Sequence, residues 1–235
     1  MSMKAQRTFK FFSFLIILLA FITLNTTTSP AIAEDKIAVS QTKESTIKKI
    51  YLTFDDGPTD STTPKILDIL LEKKIHATFF VVGRQIKKRE KILKRESDEG
   101  HSIGIHTYTH EYNKIYKNET ALLNDINLCK KEIQRVLPSY SSNLYRFPGG
   151  SFGKEKYFAV IKKNGYIFYD WNATTEDAIG NFSARELFEH AITSAKGKDN
   201  VILLMHDGVG YKNTIRALPE IIKYFQNKNY LFCTL

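Results

Sequence analysis

Cysteine is scarce in this sequence, which excludes a fold held together by a disulfide framework. Cys129 and Cys233 are the only cysteines among 235 residues, and neither lies in a CxxC or zinc-finger spacing. Because Cys129 falls in a helical pattern and Cys233 in the last strand pattern, we expect two buried free thiols. Internal repeats and low-complexity tracts are also absent, which argues against a solenoid.

Long hydrophobic runs are missing too, apart from one near the N-terminus. Residues 11–24 form a mostly apolar stretch of 14 residues, with three basic residues before it and Ala31-Ile32-Ala33 after it. This is the three-part pattern of a secretory signal, and the stretch is shorter than the roughly 17–25 residues of a membrane-spanning helix. We expect cleavage near residue 33, with an uncleaved anchor as the alternative. Residues 34–48 are polar and predict a tether.

The composition indicates one globular, basic domain that works outside the cytoplasm, as a secreted or cell-envelope protein. Hydrophobic residues make up 43% and charged residues 25%, and the net charge is +9 at pH 7. These values exclude a disordered chain. A basic domain suits an anionic membrane or cell-wall surface, and nucleic acid is not expected as a partner after export. We expect a monomer.

From residue 49 to residue 235, short β-rich runs alternate with longer amphipathic runs, which predicts an α/β fold with a parallel sheet. The predicted strands cover residues 50–54, 77–82, 102–105, 144–147, 166–169, 201–205 and 230–234. The predicted helices cover residues 64–74, 88–99, 119–136, 154–164, 184–195 and 215–226. Thr63 before Pro64 favours a helix start, and Gly100 and Pro138 indicate helix ends.

Polar residues with catalytic chemistry follow the predicted strands at their carboxyl ends. They are Asp55, Asp56, His106, His110, Arg146, Asp170 and His206. In a (β/α) barrel these ends form a single face, where active sites are built. We therefore expect residues that are far apart in the sequence to meet in one pocket.

Two groups in this set have the chemistry of metal ligands. Asp55 and Asp56 precede Gly57, and two adjacent carboxylates are costly to place together unless a cation neutralises one, although an isolated Asp-Asp-Gly is more often a solvated turn. His106 and His110 are four residues apart, which puts both imidazoles on one side if the loop turns helically. One carboxylate and two histidines suit Zn²⁺ or another first-row divalent ion, with positions left for water and substrate.

His206 ends an apolar strand, so it is either part of this pocket or a core histidine bonded to a carbonyl group. Structural roles are expected for the other three histidines, His76, His101 and His190. A zinc protease is excluded because the HExxH motif is missing: Thr107 follows His106.

Five motifs occur along the chain in a recognisable order. They are Thr53-Phe54-Asp55-Asp56-Gly57, His106-Thr107-Tyr108-Thr109-His110, Arg146-Phe147-Pro148-Gly149-Gly150, Asp170-Trp171-Asn172 continuing to Asp177, and Leu204-Met205-His206. In these motifs the sequence resembles the polysaccharide deacetylases with a NodB-like domain, carbohydrate esterase family 4, over about residues 48–235. The resemblance implies an irregular (β/α)₇ barrel and metal-dependent hydrolysis of N-acetyl groups on a cell-surface polysaccharide. Export and basic charge favour peptidoglycan N-acetylglucosamine as the substrate.

The resemblance also implies roles for the residues of the first three motifs. Asp56, His106 and His110 are similar to the family's metal ligands, with Zn²⁺ as the expected ion and Co²⁺, Mn²⁺ or Ni²⁺ as alternatives. Asp55 is similar to the catalytic base, and Arg146 to the arginine that orients it.

The last two motifs supply the general acid and its partner. His206 is similar to the acid, and Asp177 to the carboxylate that pairs with it, while Asp170 is a competitor for that place. Leu204 is similar to the residue that lines the acetyl-methyl pocket.

Substrate contacts are expected from Trp171, Phe147 and Pro148, although the third motif departs from the family's usual Arg-Pro-Pro-Tyr. Trp171 is either a sugar-stacking residue or a buried barrel residue. Ala178 stands where a groove tryptophan often follows the aspartate, which alters the groove.

Three other functions fit the same residues less well. A chitooligosaccharide deacetylase and an O-acetyl xylan-type esterase would use the same site. A glycan-binding protein without turnover would have a damaged ligand set, and the sequence shows no such damage.

Overall fold

The computed structural model describes residues 47–235, and its centre is a parallel β-sheet. The strands are β1 (Lys49–Asp55), β2 (Thr78–Val81), β3 (Ser102–Ile105), β4 (Leu144–Tyr145), β5 (Ile167–Phe168), β6 (Ala173–Thr174), β7 (Asn200–His206) and β8 (Leu231–Cys233). The signal predicted at residues 1–33 and most of the tether predicted at 34–48 lie outside the described residues.

Helices connect these strands along most of the chain. They are α1 (Thr63–Lys73), α2 (Gly83–Ile86), α3 (Glu90–Asp98), α4 (Tyr112–Ile115), α5 (Glu119–Val136), α6 (Phe158–Lys163), α7 (Ala184–Ser194) and α8 (Lys212–Asn227). A 3-10 turn, Glu155–Tyr157, leads into α6. Within residues 47–235, no helix combines the length and the apolar character needed to cross a lipid bilayer.

The sheet has the order β5-β4-β3-β2-β1-β7-β6, and every pair of neighbouring strands is parallel. β8 pairs with Lys49–Tyr51 of β1, and β2 pairs with Thr53–Asp55, so both lie along β1. The sheet curls into an open, barrel-like shape, which confirms the predicted α/β class. The described residues contain eight strands rather than seven because β6 has two residues, too few for a recognisable pattern.

The alternation of side chains along β1 separates the core from the site. Ile50, Leu52 and Phe54 are fully buried in the hydrophobic core, and each contributes about 1.5–3 kcal/mol by leaving water. Thr53 and Asp55 point to the opposite face because successive strand residues alternate. That face is the interior of the curled sheet, where the polar residues meet.

Local predictions hold with two corrections. Cys129 and Cys233 are both free thiols as predicted, but only Cys129 is fully buried. The start of α1 has no side-chain cap, because Thr62 occupies the cap position and makes no capping bond. The hydroxyl of Thr63 instead donates to Asp207 Oδ2 at 2.6 Å.

Candidate active site

Three candidate metal ligands meet beyond the ends of β1 and β3. One ligand atom from each of Asp56, His106 and His110 lies within 4.8 Å of the others. Asp56 Oδ1 is 3.4 Å from His110 Nε2 and 3.7 Å from His106 Nε2. Asp56 Oδ1 is buried and has no hydrogen-bond partner among the described residues. Because buried carboxylate oxygens normally have a partner, this geometry fits a cation.

The two imidazoles are placed to bind a cation. His106 Nδ1 lies 3.0 Å from the carbonyl oxygen of Arg146, which accepts its proton, so Nε2 is the nitrogen that faces Asp56. Burial, and then the neighbouring His106, lowers the pKa of His110. The neutral form is therefore favoured, and neutral imidazole is the form that binds Zn²⁺ and similar ions.

The loop that carries both histidines is not helical, so the two imidazoles come together without the helical turn that was the condition for it. Thr107 and His110 have φ values of 67° and 57°, in the left-handed region. Asp125, from α5, restrains this loop: it accepts hydrogen bonds from the Tyr108 N–H, from the Thr109 N–H at 3.1 Å and from the Thr109 hydroxyl at 2.8 Å. A buried carboxylate thus replaces helical hydrogen bonds.

Asp125 was not identified from the sequence, although a signal was present. Leu122, Ile126 and Cys129 are the buried positions of α5 around it, and Asp125 lies on the same face. A carboxylate at an apolar helix position needs hydrogen-bond donors from another element. This rule would have indicated a loop held by α5.

Asp55 forms a buried ion pair with Arg146 inside the curled sheet. Arg146 is fully buried, and its Nη1 donates to Asp55 Oδ1 at 2.9 Å and to the Thr53 hydroxyl at 2.8 Å. Its Nε donates to the Tyr169 carbonyl oxygen at 2.9 Å, and the guanidinium lies 4.2 Å from the centre of the Phe80 ring. Asp55 is therefore held in one orientation beside the ligand group.

A second acid–base pair joins His206 and Asp177. The two are 2.7 Å apart from Nδ1 to Oδ1, and Asp177 Oδ2 also accepts from the His206 N–H at 2.9 Å and the Thr214 hydroxyl at 2.7 Å. Burial lowers the pKa of His206, but the bond to Asp177 and the charges of Asp177, Asp55 and Asp56 outweigh it and raise the pKa to about 9. The protonated imidazole is thus stable at neutral pH, as a proton donor requires.

Asp170 does not contact His206, so the geometry distinguishes it from Asp177. Its Oδ1 accepts from the Ser151 N–H at 3.0 Å, and its Oδ2 accepts from the Ser151 hydroxyl. Asp170 therefore holds the loop after β4 in place.

The structure corrects the substrate contact expected from Phe147. Phe147 is fully buried, with its ring packed edge-to-face against Tyr145 and Phe168 at 4.8 and 5.2 Å. Pro148 is buried as well, and its carbonyl oxygen accepts from the Tyr116 hydroxyl at 2.8 Å. A side chain enclosed in the core cannot reach a substrate, so the expectation for Phe147 is wrong, whereas that for Pro148 stays a prediction.

Leu204 and Trp171 remain candidates for substrate contact. Leu204 is 6% exposed, next to His206 on β7. Trp171 is partly exposed, and the Arg146 guanidinium lies 5.8 Å from the centre of its ring. Each therefore presents some surface near the polar group.

Two cavities adjoin the polar group. A cavity of about 260 Å³ is lined by residues that include Asp56 and His110, and another of about 680 Å³ is lined by residues that include Asp177. Both are lined by Val209 and Tyr211. The two cavities therefore have a common boundary at these two residues.

The remaining histidines lie apart from this group. His101 accepts the Ala77 N–H at Nδ1, at 3.1 Å, and burial lowers its pKa to about 4. His76 packs against the edge of His101, and His190 Nδ1 lies 3.2 Å from the Thr175 carbonyl oxygen. Packing and hydrogen bonding account for all three.

A parallel α/β sheet with an Asp-His₂ group, a buried carboxylate and a carboxylate-paired histidine at one rim defines a hydrolase of the metal-dependent type. The chain belongs to the polysaccharide deacetylase family, carbohydrate esterase family 4, and the relatives described below include deacetylases, which are hydrolases. The family model described as polysaccharide deacetylase matches residues 42–169. This confirms the resemblance found in the five motifs.

Individual relatives agree with this assignment. The chain is 34% identical over 191 residues to a peptidoglycan-N-acetylglucosamine deacetylase of Bacillus cereus, which covers 80% of this chain and 86% of the relative. It is 30% identical over 200 residues to a peptidoglycan-N-acetylmuramic acid deacetylase of Bacillus subtilis, and the alignment covers 84% of this chain and 73% of the relative. The solved structure of a Streptococcus mutans CE4 esterase matches with a TM-score of 0.76 and 32% identity, over 80% of this chain and 86% of that one.

Proposed function

We propose that this protein is a metal-dependent peptidoglycan deacetylase that removes the acetyl group from N-acetylglucosamine. The observation that carries the proposal is the pairing at the site: Asp55 is bonded to Arg146 and His206 to Asp177, next to the ligand group. Amide hydrolysis needs both a base and an acid, because water must lose a proton and the leaving nitrogen must gain one.

Asp56, His106 and His110 would hold the cation, and we propose Zn²⁺, with Co²⁺, Mn²⁺ and Ni²⁺ as alternatives. One carboxylate and two neutral imidazoles are a donor set that suits this class of ion. When bound, the cation supplies a Lewis acid that polarises the acetyl carbonyl group.

Asp55 is proposed as the general base. Arg146 binds Oδ1, while Oδ2 lies 3.7 Å from His106 Nε2, towards the ligand group. Oδ2 is thus the oxygen that can take a proton from an attacking water. Burial of the ion pair keeps the carboxylate from rotating away.

His206 is proposed as the general acid. Its Nδ1 is occupied by Asp177, so Nε2 is the nitrogen that donates a proton to the amide nitrogen as the carbon–nitrogen bond breaks. The products are acetate and a free amine on the sugar. A positioned acid or base of this kind typically contributes about 10²- to 10⁴-fold to the rate.

This acid pair favours an N-acetyl substrate over an O-acetyl one. The amine of an amide leaves only after it has been protonated, whereas the alcohol of an ester depends less on a proton from the acid. The complete ligand set also argues against a glycan-binding protein without turnover.

We further propose that residues 1–33 direct export and that the excess of positive charge draws the domain to an anionic cell wall. N-terminal sequencing of the exported protein tests cleavage.

Mass spectrometry of acetate loss tests the proposed function directly. The substrates are defined peptidoglycan fragments, chitooligosaccharides and O-acetylated xylan oligomers, each incubated with chelator and then with added Zn²⁺. We expect acetate loss from the peptidoglycan N-acetylglucosamine residues, its abolition by chelator and its return with Zn²⁺. Loss only from xylan esters, or none from any substrate, would reject the proposal.

The Asp55→Asn variant separates binding from turnover. We expect it to bind Zn²⁺ as the wild type does but to release little acetate. Asp60→Asn is the matched control, because the Asp60 side chain is 71% exposed in the same loop region, and it should leave acetate release unchanged. An Asp55→Asn variant with undiminished activity would refute the assignment of the base.

A further inference from the structure

Asp207 is a buried carboxylate that neither the ligand group nor the two acid–base pairs use. It follows His206 directly and is 1% exposed. Its contacts are with the last residue of β1, the turn that follows and the first residue of α1, and Asp56 lies in that turn.

Asp207 contacts the backbone on both sides of Asp56. Its N–H donates to the Asp55 carbonyl oxygen at 2.9 Å, which restrains the peptide group before Asp56. Its carboxylate lies against Gly57, the residue after Asp56. Asp56 has a φ of 79°, in the left-handed region that residues with a side chain adopt infrequently and aspartate only occasionally.

Two threonines complete the restraint. The Thr63 hydroxyl donates to Asp207 Oδ2 at 2.6 Å and accepts from the Thr59 N–H at 2.8 Å. The Thr59 hydroxyl donates to the Asp207 carbonyl oxygen at 2.7 Å. The turn therefore closes around Asp207 from both ends.

Gly57 provides independent evidence for this close approach. A Cβ atom at Gly57 would lie 2.0 Å from Asp207 Oδ2, far inside van der Waals contact. Only glycine lets the carboxylate reach the backbone here. The glycine of the Asp-Asp-Gly motif is thus explained by Asp207.

We propose that Asp207 is a positioning residue, which holds Asp56 in the conformation that binds the cation and ties the ligand turn to the strand end that carries His206. It acts through backbone and hydroxyl groups and does not touch the substrate. The inference rests on the metal-dependent function proposed above.

Zinc affinity, measured by competition with a chromogenic chelator on the full domain, tests this inference without substrate. We expect Asp207→Ala to weaken Zn²⁺ binding by about 10- to 100-fold, the usual effect of removing a residue that orients a ligand, and to lower kcat more than it changes KM. Asp207→Asn keeps an acceptor for the Thr63 hydroxyl, so we expect it to restore most of the affinity.

Asp170→Asn is the matched control. The Asp170 carboxylate also accepts a backbone N–H, that of Ser151 at 3.0 Å, but it holds the loop after β4 and not the ligand turn, so its replacement should leave Zn²⁺ affinity unchanged. If Asp207→Ala does not fold, as thermal unfolding will show, Thr63→Val removes one hydroxyl bridge and should weaken binding to a smaller degree.

The outcomes separate this inference from the proposed function. Wild-type Zn²⁺ affinity in a folded Asp207→Ala protein, or in Thr63→Val where the alanine variant is unfolded, would overturn the positioning role. A failure of Asp207→Asn to restore binding would also overturn it. Loss of affinity in Asp207→Ala, together with no acetate release by the wild type, would support the positioning role and reject the deacetylase function.

Discussion

Replacement of Asp177 by asparagine is expected to move the alkaline limit of activity to lower pH. Asparagine keeps the shape of the carboxylate but removes its charge, whereas the burial that lowers the pKa of His206 remains. We therefore expect this pKa to fall from about 9 towards its ordinary value of 6.5. The acid must be protonated to donate, so activity is present below the pKa and is lost as pH rises through it.

The expected effect depends strongly on pH. At pH 8, a pKa of about 9 leaves about 0.9 of His206 protonated, whereas a pKa of 6.5 leaves about 0.03, a loss of roughly 30-fold. At pH 6, the same two pKa values give protonated fractions of about 1.0 and 0.8. Loss of the His206 proton in Asp177→Asn therefore reduces activity at pH 8 and has almost no effect at pH 6.

The assay is kcat/KM for acetate release as a function of pH, for the wild type, Asp177→Asn and the control Asp170→Asn. A bound cation offsets the charges of Asp55 and Asp56 and lowers the pKa of His206 in every protein, so the separation between the curves is the informative quantity. Asp170→Asn should keep the wild-type limit because Asp170 binds Ser151. An equal loss in Asp177→Asn at pH 6 and pH 8 would refute control of the pKa by Asp177.

Variants at three further positions test separate contacts. His110→Ala should abolish tight Zn²⁺ binding and acetate release together, and an affinity equal to that of the wild type would remove His110 from the ligand set. Arg146→Met leaves Asp55 buried without its partner, so the free energy of unfolding measured with urea should fall by about 3–5 kcal/mol. A fall of less than about 1 kcal/mol would contradict a buried pair. Tyr211→Leu removes the ring stacked 5.1 Å from His206, so kcat should fall while Tyr211→Phe retains it. Equal kcat in both Tyr211 variants would exclude a role for the ring.

Backbone connectivity explains which carboxylate reaches His206. β6 pairs with β7 so that Thr174 lies opposite Leu204, and this register carries the following residues, including Asp177, along β7 to His206. Asp170 precedes β6 and binds the loop after β4 instead. Because β6 has two residues, the sequence offered no pattern from which to derive this register.

Phe147 shows a second limit of pattern reading. It follows Arg146 at the end of β4, and neighbouring residues of an extended chain point to opposite sides. Arg146 therefore faces the interior of the sheet while Phe147 packs in the aromatic core. The motif correctly predicted where Arg146 lies, but it did not show that the Phe147 side chain points to the opposite side.

The sequence by itself determined the α/β class, the positions of most strands and helices, and the residues at the strand ends. Periodicity and chain direction are local properties, and the carboxyl ends of parallel strands share one face. Only the tertiary structure decided the choice of Asp177 over Asp170, the irregular loop between His106 and His110, and the buried supports Asp125 and Asp207. These depend on hydrogen bonds between groups far apart in the chain, which no local pattern encodes.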